Sequence, residues 1–139
     1  MAENINITCN IKNETGKNLT VHSTHLKWGK FQIAPSEIQA EETICIGQFK
    51  ASGRSGSASG TEGYVTYRAS DGTLFKIIFD ICWGTKANSI SYETLKDGLE
   101  GNPSDYDFYR TKSDYSTKET SGDPGSSPVT TYFYISKNK

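Results

Sequence analysis

The chain has 139 residues, the size of one domain with a single hydrophobic core, so 1–139 reads as one folding unit. Apolar residues make up 34 %, below the usual globular share, and Ser, Thr, Asn and Gly fill the difference, as in a turn-rich β protein. A formal charge of −1 supplies no basic field for phosphate backbones, so nucleic acid is not an expected partner. No run approaches the roughly 18–20 apolar residues of a spanning helix, and Met1-Ala2-Glu3-Asn4 lacks the basic and apolar regions of a secretion signal; the chain is expected to be made as a soluble protein without a signal peptide.

The first segment alternates strictly. Ile5, Ile7, Cys9 and Ile11 fall on one face and Asn4, Asn6, Thr8 and Asn10 on the other, the period of a half-buried strand. Asn13-Glu14-Thr15-Gly16-Lys17-Asn18 then turns the chain, and Leu19 and Val21 resume the alternation, which predicts a hairpin. Further strands are predicted over 43–49, 64–68, 74–79, 89–93, 106–110 and 129–136, each β-branched or aromatic and bounded by Gly, Pro, Asn, Asp or Ser. Asp71-Gly72 reads as a two-residue hairpin turn. No window of ten or more residues has a helical period. About eight short strands with frequent turns predict an all-β, antiparallel β-sandwich, with a barrel as the alternative.

Two segments read as irregular. Residues 51–61 are nearly all Gly, Ser and Ala around Arg54, and 113–128 are polar with Gly122, Pro124, Gly125 and Pro128, the pattern of a mobile surface loop. Cys9, Cys45 and Cys82 are odd in number and widely spaced, so they predict buried free thiols rather than a disulfide framework or a zinc site.

Little in the chain points to catalysis. His22 and His25 are the only histidines, and side chains three apart on a strand point to opposite faces, so they do not share a metal. The run 53–60 lacks the Gly-Lys-Ser/Thr of a phosphate loop and no helix follows it. Its two open readings are a plain connection and a loop whose N–H groups and Arg54 cradle an anionic head group. No two carboxylates are brought together as acid and base. The expectation is a binding protein, not an enzyme, with no cofactor and no metal. Trp28-Gly29-Lys30 and Trp83-Gly84-Thr85-Lys86 repeat one local chemistry: an indole suited to head-group depth beside an ammonium that meets phosphate. The structural alternative is that both tryptophans cap the core.

Taken together, Leu26-Lys27-Trp28-Gly29-Lys30, then Ala51-Ser52-Gly53-Arg54-Ser55 leading into Gly60-Thr61-Glu62-Gly63, then Asp80 followed by Trp83-Gly84-Thr85-Lys86 resemble the aegerolysins. The resemblance covers about two-thirds of the chain, from the first strands to about Tyr92, and places the last strand near 130–136. It implies a small β-sandwich that binds membrane lipid head groups, commonly of sphingolipid type. It also implies recruitment of a perforin-like partner that forms the pore, in cytolytic and in some cases insecticidal two-component toxins acting outside the producing cell. The lipid-binding residues it implies are Trp28, Lys30, Arg54, Ser59, Phe79, Trp83 and Lys86. Asn6 and Phe79 stand where fungal members have tryptophan, and Ser59 stands where they have an acid that helps select the sphingolipid, so the fungal lipid preference does not carry over. Two other readings stay open: a lectin-like or receptor-binding module using Trp28, Trp83 and Tyr132-Phe133-Tyr134, and lysis by this chain alone.

Overall fold

A computed structural model describes residues 5–40, 46–54, 60–82, 88–111 and 129–138. Nine strands run in chain order: β1 Asn6–Glu14, β2 Thr20–Trp28, β3 Lys30–Ile33, β4 Ile46–Ser52, β5 Thr61–Arg68, β6 Thr73–Ile81, β7 Ser89–Lys96, β8 Tyr106–Thr111 and β9 Val129–Lys137. They form a five-stranded sheet in the order β3-β4-β1-β9-β8 and a four-stranded sheet in the order β2-β5-β6-β7. The expected β-sandwich is observed. One pairing departs from the antiparallel rule, because β1 and β9 run parallel with Ile7 opposite Val129.

The core lies between the sheets and follows the strand alternation. Ile7, Cys9 and Ile11 on β1, Phe133 and Ile135 on β9, and Val65, Tyr67, Phe75, Ile77, Phe79 and Ile81 on β5 and β6 are all inaccessible to solvent. Aromatic rings join the layers: Phe49 meets Phe79 at 5.9 Å, Phe75 meets Phe108 at 5.4 Å, and Tyr92 meets Phe133 at 5.4 Å between centroids, within the range of favourable ring pairs. Burial pushes the Cys9 thiol well up, only partly offset by Arg110, so its reactive thiolate is suppressed. Cys82 is a half-buried free thiol, and Cys45 lies outside the described residues.

Several expectations are corrected. β1 and β2 are not a hairpin, because they belong to different sheets. The turn between them is rolled by side chains: Thr15 donates through its N–H and its hydroxyl to Asn13 Oδ1 at 3.0 and 2.7 Å, and Asn13 Nδ2 donates to the Lys17 carbonyl at 2.7 Å. Such local bonds offer the backbone an alternative to the ladder, and Leu19 then drops into the core, bridged to Ile38. The β5–β6 hairpin does form, but three residues separate the bonded pair Ala69 and Thr73, with Gly72 at φ +96°, a left-handed position that favours glycine. Ala51 and Ser52 extend β4 and Thr61 opens β5, so both ends of the segment expected to be irregular belong to strands. The short β3 had no strand signal of its own. The loop expected over 113–128 lies outside the described residues.

Asp71 anchors that hairpin. Its carboxylate accepts from the Thr73 N–H at 2.9 Å and from the Tyr106 hydroxyl at 3.0 Å. Burial works to raise the Asp71 pKa, but bonds from Thr73, Tyr106 and Asn102 outweigh it and hold the carboxyl below its ordinary value. Burial and the Asp71 contact push Tyr106 up to about 12.

Two predictions follow from these interiors. The Tyr67 hydroxyl is buried with no hydrogen-bond partner, so Tyr67→Phe should raise stability by about 1 kcal/mol in urea unfolding. Because the folded-state pKa of Asp71 is depressed, its contribution is present above the unfolded value of about 3.9 and is lost as pH falls through the folded one. Asp71→Asn should therefore be less stable than wild type at pH 7, with the gap closing as melts are run toward pH 3.

Candidate functional site

Strand directions send two kinds of connection to opposite ends of the sandwich. β1 starts, β2 passes to β3, and β4, β6 and β8 hand over to β5, β7 and β9 at one end. The turns at 15–19 and 69–72 and the 3₁₀ turn Pro103–Asp105 lie at the other. The three sequence motifs abut the first end: Trp28 and Lys30 flank the β2–β3 passage, Arg54 follows β4, and Asp80 sits one residue before the end of β6.

Gly29 makes that passage possible. Trp28 pairs with Glu62 in the four-stranded sheet, while Lys30, two residues on, pairs with Ser52 in the five-stranded sheet. The chain therefore changes sheets across one residue. Gly29 has φ +99°, and an added Cβ would stand 2.4 Å from the Ser52 carbonyl oxygen and 2.7 Å from Thr61 Oγ1. The Thr61 hydroxyl donates to the Trp28 carbonyl at 3.3 Å, which ties the passage to the start of β5. A register shift between Leu26 and Trp28 turns the indole outward, a common use of a bulge.

The result is an exposed tryptophan among charges. Trp28 is 54 % accessible, so for this residue the core-capping alternative is excluded. Arg54 is exposed and Lys30 is half-buried. Glu62 and Asp80 lie side by side on β5 and β6 next to Trp28; neither is among the lipid-binding residues the resemblance implies, although each stands in one of its motifs. The connection carrying Trp83 and Lys86 is pinned at its feet, where the Cys82 N–H donates to Asn88 Oδ1 at 3.0 Å. Ser59, Trp83 and Lys86 themselves lie outside the described residues. Phe79 is a correction: it is fully buried against Phe49, because its position on β6 faces the opposite sheet, and it offers no surface to a lipid.

Charge is distributed along the long axis. Among the described residues, Lys27, Lys30, Lys50 and Arg54 outnumber Glu62 and Asp80 near Trp28, whereas acids outnumber bases at the far end, where Asp71, Asp97, Glu100, Asp105 and Asp107 lie. A cleft of about 600 Å³ at that far end is lined by Lys17, Asn18, Thr20 and Arg68. Its Arg68 is already matched, meeting Asp97 at 2.9 Å and Glu100 at 3.3 Å. His22 reaches the same Asp97 at 3.7 Å, and His25 instead leans on Tyr64, so the two do not converge. No group of three metal-ligating side chains occurs among the described residues.

The aegerolysin family model matches residues 4–104. No curated protein matches the sequence. Similar solved structures include IP-1A from Alcaligenes faecalis, 20 % identical with a TM-score of 0.70, covering 99 % of this chain and 94 % of that one. RahU, solved in complex with a TRIS molecule, is 15 % identical with a TM-score of 0.65 over 98 % of this chain and 97 % of its own. The lipid binding protein Nakanori is 13 % identical with a TM-score of 0.62 over 95 % of this chain and 70 % of its own. At these identities the likeness is one of fold.

Gly29→Ala should lower stability by at least about 2 kcal/mol, combining a left-handed backbone position with a clash against Ser52; chemical denaturation with near-wild-type stability would contradict the account of the passage.

Proposed function

Because the chain belongs to the aegerolysin family, we propose that it is a non-enzymatic membrane-lipid-binding protein that docks through its Trp28 end. On this reading it acts outside the producing cell as the targeting component of a two-component cytolysin, and the pore is built by a perforin-like partner that it recruits. The observation that carries the reading is Trp28, a large apolar ring held 54 % exposed at the end where the basic side chains gather. An indole in that setting gains by entering the head-group layer. The lipid-binding description of Nakanori, on the same fold, supports it.

The charges beside the ring suggest the class of head group. Lys30 and Arg54 suit a phosphate, while the Trp28 face with Glu62 and Asp80 suits an ammonium. A zwitterionic phospholipid, of sphingolipid type or otherwise, presents both. The basic bias of this end would turn it toward a phosphate-bearing surface before contact.

Vesicle sedimentation tests the reading, using phosphatidylcholine and cholesterol with added sphingomyelin, ceramide phosphoethanolamine or phosphatidylserine. Binding to at least one zwitterionic composition is expected, with a blue shift in tryptophan emission. Trp28→Ala should weaken it by about 1.5 kcal/mol, roughly tenfold, and leave the melting temperature unchanged. Binding to none, or equal binding by the variant, would remove the proposal. Dye release by this chain alone would reassign the pore.

A further inference from the structure

The outward face of the five-stranded sheet lies at right angles to the Trp28 end and has a chemistry of its own. Strand alternation turns Gln48 and Lys50 on β4, Thr8, Asn10 and Lys12 on β1, Thr130, Tyr132 and Tyr134 on β9, and Asp107 and Tyr109 on β8 away from the core. None of these positions is aliphatic, whereas the inward positions of β1 and β9 are almost all apolar.

Register assembles the patch. Gln48, Asn10 and Tyr132 lie in one row across β4, β1 and β9, and Lys12, Tyr134 and Tyr109 lie in the next across β1, β9 and β8. The Tyr109 and Tyr134 rings are 5.3 Å apart and tilted by 38°. All three tyrosines are half-buried, so part of each ring reaches solvent. Beside them Gln48 Nε2 donates to Asn10 Oδ1 at 2.9 Å. That bond fixes both amides and leaves the Asn10 Nδ2 protons and Gln48 Oε1 to serve an outside ligand as donor and acceptor.

We propose that this face is a binding platform for neutral oligosaccharides, with Tyr134, Tyr109 and Tyr132 stacking on sugar rings and Asn10 and Gln48 hydrogen-bonding their hydroxyls. A pyranose presents an apolar C–H face and a rim of hydroxyls that each donate and accept, the complement of aromatic rings beside fixed amides. Lys12 and Lys50 are balanced by Glu14 and Asp107, so the face has no field to hold a polyanion. The strands that carry the tyrosines, β8 and β9, turn no aliphatic side chain outward to anchor an acyl chain. A sheet face is open along its length, which suits a chain laid across it rather than a monosaccharide in a pocket. The site does not depend on the lipid reading; the two together would let one molecule hold a head group at its end and a cell-surface glycan along its side.

The test is a printed array of neutral hexose and N-acetylhexosamine oligosaccharides, followed by calorimetric titration with the strongest soluble member. Wild type should bind, Tyr134→Ser should weaken binding on the order of tenfold, and Tyr134→Phe, which keeps the ring, should retain most of it. Gln48→Ala should weaken binding several-fold with an unchanged melting temperature, and vesicle sedimentation by every variant should match wild type. An array without hits overturns the proposal, and so does a hit that survives both Tyr134→Ser and Gln48→Ala. If Tyr134→Ser lowers the melting temperature, the exposed Gln48→Ala variant decides alone.

Discussion

Everything in this molecule hangs on the contact between two sheets. Neither sheet buries its inward face by itself, and the rings that span the gap (Phe49 on Phe79, Phe75 on Phe108, Tyr92 on Phe133) come from strands far apart in sequence. Once these inward faces must meet, strand directions follow, and with them the end at which each connection emerges. The gathering of Trp28, Lys30, Arg54 and Asp80 at one end is thus a consequence of packing the core.

The same packing explains why Gly29 is so constrained. A chain that leaves one sheet and enters the other within one residue passes close to the backbone of both, and the Ser52 carbonyl occupies the place of a side chain there. Trp28 stands exposed at the end of β2, just after a register shift and just before the Gly29 passage. Trp28, Lys30, Glu62 and Asp80 are accordingly placed on strand ends, and strand ends hold an anchor more rigidly than a loop does. The far end is closed differently, by the Asp71 turn and the Arg68 cluster with Asp97 and Glu100, where charges satisfy one another.

Alternation along β1, β6 and β9 was plain in the sequence because one face of each is buried and the other is not, and a period of two is the direct imprint of that asymmetry. The tryptophan motif, the Gly/Ser-rich run and the acidic motif were equally plain, since each is a local string of residue types. β3 was invisible, four residues long with its side chains only partly buried. The β1–β2 hairpin was misjudged for a related reason: a polar turn between two alternating segments looks the same whether the second strand pairs with the first or crosses to the other sheet. Glu62 was in view but had no evident role until register set it beside Trp28 and Asp80. Phe79 looked like a surface replacement for tryptophan, and only the opposing sheet shows which way it points.

By itself, then, the sequence determined the all-β class, most of the strands, the apolar set that became the core, and the family to which the chain belongs. These depend on periodicity and short motifs, which are properties of neighbours along the chain. Tertiary structure alone decided the parallel pairing of β1 with β9, the split of β1 and β2 between sheets, the exposure of Trp28, the burial of Phe79, and the meeting of Tyr109 with Tyr134 beside Asn10 and Gln48. Each of these is a relation between residues distant in sequence, set by which faces exclude water together, and no local pattern encodes it.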